Sequence, residues 1–309
     1  MTRAVVLAYH NVGVRCLSTL LAHGVAIPLL LTHRDNPTEN IWFDSVAERA
    51  ARYEIPIITP DDPNTPEVMA QIAAAQPDFL FSFYYRHMLR PELLALAPRG
   101  AYNIHGSLLP MYRGRVPVNW AVLRGERETG ATLHEMVAKP DAGRIVAQSR
   151  VPILPDDTAF EVFNKLTVAA EITLDGALPG LLAGTAPHRE QDLAAGSYFG
   201  GRKPEDGRID WSQSAEAIHN LIRAVAPPYP GAFFDLAGQR LVVVRSLHQA
   251  QRKARAGGRG IYVDAGMFLV DCGDGRVLRL LALEQQGAPS TLVAPADFVA
   301  RFGGGKITL

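Results

Sequence analysis

The sequence predicts an α/β fold: a parallel sheet with helices on both faces, followed by a small β-barrel or sandwich. Three observations predict it. Through the first half of the chain, strand-length apolar runs alternate with helix-length segments, the pattern of parallel strands joined by crossover helices. Those runs are apolar throughout rather than at every second residue, as suits strands covered on both faces. Beyond residue 200 the composition changes to short strands separated by Gly turns, the pattern of a small barrel or sandwich. The expected domains are 1–200 and 201–309.

Taken in order, Ala4–Ala8 reads as a buried strand and Val14–His23 as a helix, with Gly24 where a C-terminal cap belongs. Val25–Leu31 is a second apolar run, and Asp44–Tyr53 is helical in pattern. Ile55–Thr59, a helix over Glu67–Ala75, and Asp78–Phe83 continue the alternation. Pro98-Arg-Gly100 marks a turn before a short strand, Ala101–His105. Ala131–Val137 and Arg144–Val151 read as strands around the turn Lys139-Pro-Asp-Ala-Gly143. Phe160–Leu182 is a long helical pattern and Gly196–Gly207 a loop. Ala215–Ala226 reads as a helix, and Pro227-Pro-Tyr-Pro-Gly231 as a rigid turn of architectural use. Leu241–Arg245, Gly260–Asp264, Met267–Cys272 and Arg276–Leu283 read as short strands. No internal repeat is visible.

At 309 residues the chain is long enough for two domains, and 48% hydrophobic with 20% charged residues is ordinary for a globular protein. Lys+Arg and Asp+Glu both number 31, so no global field draws in nucleic acid or an anionic membrane. Arg252, Lys253, Arg255 and Arg259 make one local basic loop, read as a solvated surface that can meet an anionic partner. Cys16 and Cys272, the only cysteines, lack metal-ligand spacing and suggest neither a zinc site nor a disulfide framework. The N-terminus lacks a secretory pattern, and no apolar stretch is expected to reach the ~20 residues that span a bilayer. The expected setting is cytoplasmic.

Asn103-Ile-His105 carries the chemistry. On a strand these two side chains share a face. A carboxamide offers a neutral donor to a developing oxyanion, and an imidazole moves a proton near neutral pH. Together they suit acyl transfer, whereas an isolated Asn-x-His more commonly satisfies local backbone groups. Gly106, Pro110 and Gly114 set the pair beside a loop, and Arg113 and Arg115 add positive charge. In an open α/β sheet, ligands lie beyond the carboxyl ends of the strands, where Tyr84–Leu89 also begins. The first strand leads into Tyr9-His-Asn-Val-Gly13 rather than G-x-G-x-x-G, which weakens a dinucleotide reading. Spacing favours Asp141 as an ordinary turn residue over a partner that orients a histidine. His87 reads evenly as a pocket or a loop histidine, and His134 mainly as packing.

Asn103-x-His105-x-Ser107-Leu-Leu-Pro110, Tyr112-Arg-Gly114, Thr129-Gly-Ala-Thr-Leu-His134 and Asp141-x-Gly143 together resemble the folate-dependent formyltransferases over nearly the whole chain. The resemblance implies a Rossmann-like parallel sheet followed by a small OB-like β-barrel, with Asn103, His105 and Asp141 catalytic and 10-formyltetrahydrofolate as co-substrate. Ala8-Tyr-His10, Thr32–Pro37, Phe81–His87, Phe199-Gly-x-Arg202 and Arg223-Ala-Val225 are closest to the branch that formylates UDP-4-amino-4-deoxy-L-arabinose in lipid A modification and polymyxin resistance. That branch implies folate contacts at His87, Met88, Leu89 and Arg115, and at Val137, Ala138, Lys139, Pro140 and Asp141, with no metal. It implies a nucleotide-linked amino-sugar as partner, no nucleic acid and no membrane insertion. A homo-oligomer or an association with a separate decarboxylase stays open, since a chain ending at Leu309 has no room for the decarboxylase half. The alternatives are formylation of methionyl-tRNA, which the balanced charge disfavours, formylation of glycinamide ribonucleotide, which leaves the barrel unexplained, and a non-catalytic folate or nucleotide module.

Overall fold

The computed structural model describes residues 1–287 and 290–309. Two compact units emerge, each assembled from separated stretches of chain: 1–117, 128–152 and 163–200 in the first, 118–127, 153–162 and 201–309 in the second.

The first unit is built on β1 (Arg3–Ala8), α1 (His10–Ala22), β2 (Ala26–Leu31), α2 (Val46–Ala51), β3 (Ile57–Ile58), α3 (Pro66–Ala74), β4 (Phe79–Phe83), α4 (Pro91–Leu94) and β5 (Ala101–His105). Five neighbouring strands of its sheet, β3-β2-β1-β4-β5, are parallel. Period two explains the core: Val5, Leu7, Leu29, Leu31 and Leu80 lie in one cluster with Val68 and Ile72 of α3. β4 is buried along its whole length, as its unbroken apolar run requires. Burying one such Phe side chain stabilises by about 1.5–3 kcal/mol. Ser45 and Thr65 accept hydrogen bonds from the amides of Glu48 and Val68, which fixes where α2 and α3 begin.

The parallel strands carry an antiparallel edge. After β6 (Arg113–Gly114) and α5 (Pro117–Leu123), β7 (Glu128–Glu135) pairs antiparallel with β5, and β8 (Ile145–Pro152) pairs antiparallel with β7. A hairpin turn joins β7 to β8, so the pair adds to the sheet edge without a crossover helix. β7 ends at Glu135, so Val137 belongs to the hairpin loop and not to a strand.

α6 (Ala159–Ala183) closes this half of the chain, and β9 (Tyr198–Phe199) pairs with β6. Contrary to expectation, α6 is long and apolar enough to cross a membrane by length and composition. Its apolar residues Phe163, Leu166, Ala170, Leu174, Leu178 and Leu181 recur at helical spacing and are buried. Its polar flank ties to α1 through Arg15–Glu171 and His23–Asp175. One apolar face of α6 is thus packed inside, while Val168 and Ile172 on the other side are exposed.

The second unit holds a short 3-10 turn (Pro204–Gly207), α7 (Ala215–Val225), β10 (Ala232–Leu236), β11 (Gln239–His248), β12 (Gly260–Asp264), β13 (Met267–Asp271), β14 (Val277–Gln285), β15 (Thr291–Leu292), α8 (Pro295–Phe302) and β16 (Ile307–Thr308). Its strands run β10-β11-β14-β13-β12-β16, antiparallel, with β15 beside β14. The result is a curled half-barrel, in keeping with the expected small barrel. The buried Asp271 carboxylate is neutralised by Lys306 at 2.7 Å and accepts from Tyr262 Oη at 3.0 Å. Cys16 and Cys272 are free and buried.

Candidate active site

β4 and β5 lie side by side and parallel, with Phe83 opposite Ile104, so the loops that follow them start at one sheet edge. In the strand order, β1 and β4 are the neighbours at which the crossovers reverse direction, and ligands of open α/β sheets bind at that edge.

Antiparallel register sets Asn103 of β5 opposite His134 of β7. The Asn103 Nδ2 and His134 Nε2 atoms are 3.1 Å apart, and His134 Nδ1 lies 2.7 Å from the Glu135 carbonyl. Burial lowers the His134 pKa to about 4, and the nearby His105 pushes the same way against the opposing Asp141 charge. The ring is therefore neutral near pH 7. Its Nδ1–H donates to the carbonyl, and its Nε2 lone pair accepts from the Asn103 amide. One N–H of Asn103 is thus pinned, and the amide keeps a second for a ligand.

His105 is buried, and its two nitrogens face different acceptors. Nε2 lies 2.8 Å from the Tyr112 carbonyl, and Nδ1 lies 3.5 Å from Asp141 Oδ1. Asp141 Oδ1 also sits 3.6 Å from His134 Nε2, so one carboxylate oxygen addresses both histidines. The other oxygen, Oδ2, accepts the Gly114 amide at 2.8 Å. Asp141 stands at φ 51°, a left-handed conformation that Asp tolerates better than most residues. Gln191 holds that turn by donating to the carbonyls of Asp141 at 3.0 Å and Gly143 at 2.5 Å.

The structure thus brings Asn103, His105 and Asp141 together around His134. His134 is more than packing: it touches both Asn103 and Asp141. Its sequence signal was its place in the β7 alternation. Gln191 and the Gly114 amide carried no local signal, because their roles come from chain segments 50 and 27 residues from Asp141.

The loop after β5 is tied down from the hairpin. Thr132 Oγ1 donates to the Ser107 carbonyl at 2.6 Å and accepts the Leu109 amide at 3.1 Å. Ser197 Oγ accepts the Tyr112 amide at 2.8 Å, and the Tyr112 and Phe199 rings stack at 5.3 Å. Tyr112 and Val116 hold φ values of 57° and 46° at either side of Arg113–Arg115. Such residues cost on the order of 1 kcal/mol each and collect where a site imposes them. Arg113 is buried, and its Nε and Nη1 have no hydrogen-bond partner among the described residues.

The remaining residues expected to bind folate sit on two loops. His87 and Met88 are exposed beyond β4, while the Leu89 side chain joins the apolar core, leaving only its backbone for a ligand. Asn64 secures this loop by donating to the Met88 carbonyl and accepting the Arg90 amide. Arg115, Val137, Ala138 and Lys139 are exposed, and Pro140 is half-buried. Near the edge, burial lowers His10 to about 3, with its ring packed against Trp42, Phe43 and Phe163. The described residues contain no group of three His, Cys, Asp or Glu placed to hold a metal.

Two family profiles match the chain: "Formyl transferase" over residues 23–178 and "Formyl transferase, C-terminal domain" over residues 202–300. Among solved structures, similarity extends to the N-formyltransferase from Helicobacter canadensis in complex with folinic acid and dTDP-3-aminofucose. That match has a TM-score of 0.71 at 19% identity, covering 91% of this chain and 99% of that one. WlaRD, a sugar 3N-formyl transferase solved with dTDP and 5-N-formyl-THF, gives 0.71 at 20% identity, with 90% and 97% coverage. A sugar N-formyltransferase from a Shewanella species gives 0.63 at 18%, with 79% and 96% coverage. At these identities the structural likeness speaks to the fold.

Proposed function

The chain belongs to the formyl transferase family, and from that premise we propose that it moves a formyl group from 10-formyltetrahydrofolate to the amine of a nucleotide-linked amino-sugar. UDP-4-amino-4-deoxy-L-arabinose is the acceptor that the sequence resemblance favours, with lipid A modification as the setting. The observation that carries this reading is the convergence of Asn103, His105 and Asp141 at the end of β5. The solved formyltransferases carrying folinic acid, dTDP-3-aminofucose, dTDP and 5-N-formyl-THF support the two substrate classes.

In this proposal the sugar amine attacks the formyl carbon, a C–N bond forms, and the carbonyl oxygen becomes an oxyanion. The free N–H of Asn103 donates to that oxygen. Losing one such donor costs about 3 kcal/mol in comparable sites. His105 takes the proton released by the amine and passes it to the folate nitrogen as the bond to that nitrogen breaks. Asp141 faces His105 and stabilises the charge it carries in passing. Folate contacts are assigned to His87, Met88, the Leu89 backbone, Arg115 and Val137–Asp141. The buried Arg113 guanidinium, with Nε and Nη1 unmet, fits an anionic group such as the acceptor's diphosphate, because an unmet buried donor is costly.

The proposed setting is cytoplasmic, in keeping with two free thiols. A sugar acceptor accords with a net charge of zero better than methionyl-tRNA does. One assay tests the reading: formylation of UDP-4-amino-4-deoxy-L-arabinose, dTDP-amino-sugars and methionyl-tRNA, side by side. Turnover of an amino-sugar, abolished in Asn103→Ala and His105→Ala with folate binding retained, is expected. Turnover of methionyl-tRNA alone, or unchanged turnover in both variants, sinks it.

A further inference from the structure

The second unit contains a cleft of about 780 Å³, a volume in the range of small-molecule sites. Five permanent cations line it, Arg127, Arg223, Arg252, Lys253 and Arg276, against two glutamates. Two of the five are already paired, Arg252 with Asp264 and Arg276 with Asp274. Arg127, Arg223 and Lys253 have no carboxylate within ion-pair distance among the described residues.

Arg223 is the informative member. It projects from the last turn of α7 and is 6% exposed. Its Nε donates to Asn220 Oδ1 at 2.9 Å and its Nη1 to the Asp157 carbonyl at 3.2 Å, both neutral acceptors. The C-terminal end of α7 supplies a partial negative charge. Asp156, Asp157 and Glu216 act on it only from beyond contact. A buried guanidinium ordinarily sits against a full countercharge. Here the fork is oriented by two neutral groups and left without one, and the cleft lies in front of it.

The rest of the lining narrows the ligand. His219, beside Arg223, is buried, with Nδ1 on Ser246 Oγ and Nε2 on the Pro155 carbonyl, and its ring lies 4.8 Å from that of His248. Burial lowers its pKa, so it adds no permanent charge. The lining contains no Phe, Tyr or Trp on which a nucleobase or single-stranded RNA could stack. Ile153, Leu154 and Pro155 supply a short apolar wall. Phosphate is the anion that a guanidinium fork and two flexible cations hold best.

We propose that this cleft binds a small phosphorylated metabolite without an aromatic base, a sugar phosphate or diphosphate ester, held by Arg223 with Arg127 and Lys253. The site shares no residue with the Asn103, His105, His134 and Asp141 set, and it stands independently of formyl transfer.

The test uses the full chain and inorganic pyrophosphate as probe, followed by calorimetry and by the ring C–H resonances of the histidines. Saturable binding that shifts His219 and His248 is expected. The exposed pair Arg127→Gln/Lys253→Gln leaves the fold intact and weakens binding about ten-fold or more. Arg223→Lys, which keeps the charge and loses the fork, weakens it as well. Asn103→Ala leaves it unchanged, so failure here is distinguishable from failure of the formyl-transfer reading. Absent saturable binding, undiminished affinity in the double variant, or shifts at His105 and His134 instead of His219 and His248 overturn the proposal. So does binding of an RNA oligonucleotide that pyrophosphate does not displace.

Discussion

Asn103 is oriented by His134: the carboxamide nitrogen donates to the imidazole Nε2 across 3.1 Å, and the imidazole is fixed in turn by the Glu135 carbonyl. A donor for an oxyanion is useful only when its geometry is set before the reaction. His134→Phe preserves bulk and removes the acceptor, freeing the amide to rotate. The expected result is a kcat lowered about 10–100-fold with KM for both substrates little changed. Steady-state kinetics on both substrates check it. An unchanged kcat shows that Asn103 needs no such hold.

The same burial makes stability depend on pH. His134 and His33 are lowered to about 4, and His10 to about 3, in each case chiefly by burial, from an ordinary value of 6.5. Between those values and 6.5 the unfolded chain binds protons that the folded chain refuses. Stability is therefore full above about pH 6.5 and falls as pH drops toward 4, by at most about 1.4 kcal/mol per pH unit per histidine. Denaturant unfolding at pH 7, 5.5 and 4.5 measures the slope. His134→Phe removes one of these protons and makes the slope shallower.

Asp141→Asn separates charge from shape. Asn tolerates the left-handed backbone at this position and can still accept the Gly114 amide, so the turn persists. What disappears is the negative charge 3.5 Å from His105 and 3.6 Å from His134. The expected loss in kcat is about 10²–10⁴-fold, with thermal stability close to that of the parent. A loss below five-fold would reduce Asp141 to a turn residue, as its spacing alone suggests.

Much of this was legible in the chain. The β1–β5 alternation announced itself through unbroken apolar runs, and Asn103 and His105 through two-residue spacing on one strand. The β7–β8 hairpin was legible through the turn at Lys139–Gly143, but its antiparallel docking on β5 was not, because no local pattern states which strand a hairpin joins. β10, β16 and α8 escaped because each is short and draws its stability from packing, as Phe298 does against Phe268. His134 was readable as a strand residue, but its partner is set by register, which no local pattern states. Gln191 and the Gly114 amide lay beyond reach for the same reason, acting on Asp141 through tertiary closure alone.

Two glycines frame the Asp141 turn, and their backbones leave no room for a side chain. A Cβ on Gly114 would lie 2.2 Å from the Phe199 carbonyl oxygen, and its φ of +97° suits glycine. One on Gly143 would lie 2.0 Å from the Glu135 carbonyl oxygen. Both obstacles are backbone in paired strands or beside them, so neither can swing aside. Gly114→Ala must also shift the amide that anchors Asp141 Oδ2. Each substitution is expected to destabilise by about 2 kcal/mol or more, lowering Tm by roughly 4–8 °C, and to reduce turnover along with it. Gly176→Ala is the internal control. That glycine is exposed inside α6 with open space where its Cβ would go, so alanine there raises stability by about 0.5–1 kcal/mol and leaves activity unchanged. If Gly114→Ala melted and turned over like Gly176→Ala, the close approach of β6 to β9 would have no part in holding Asp141.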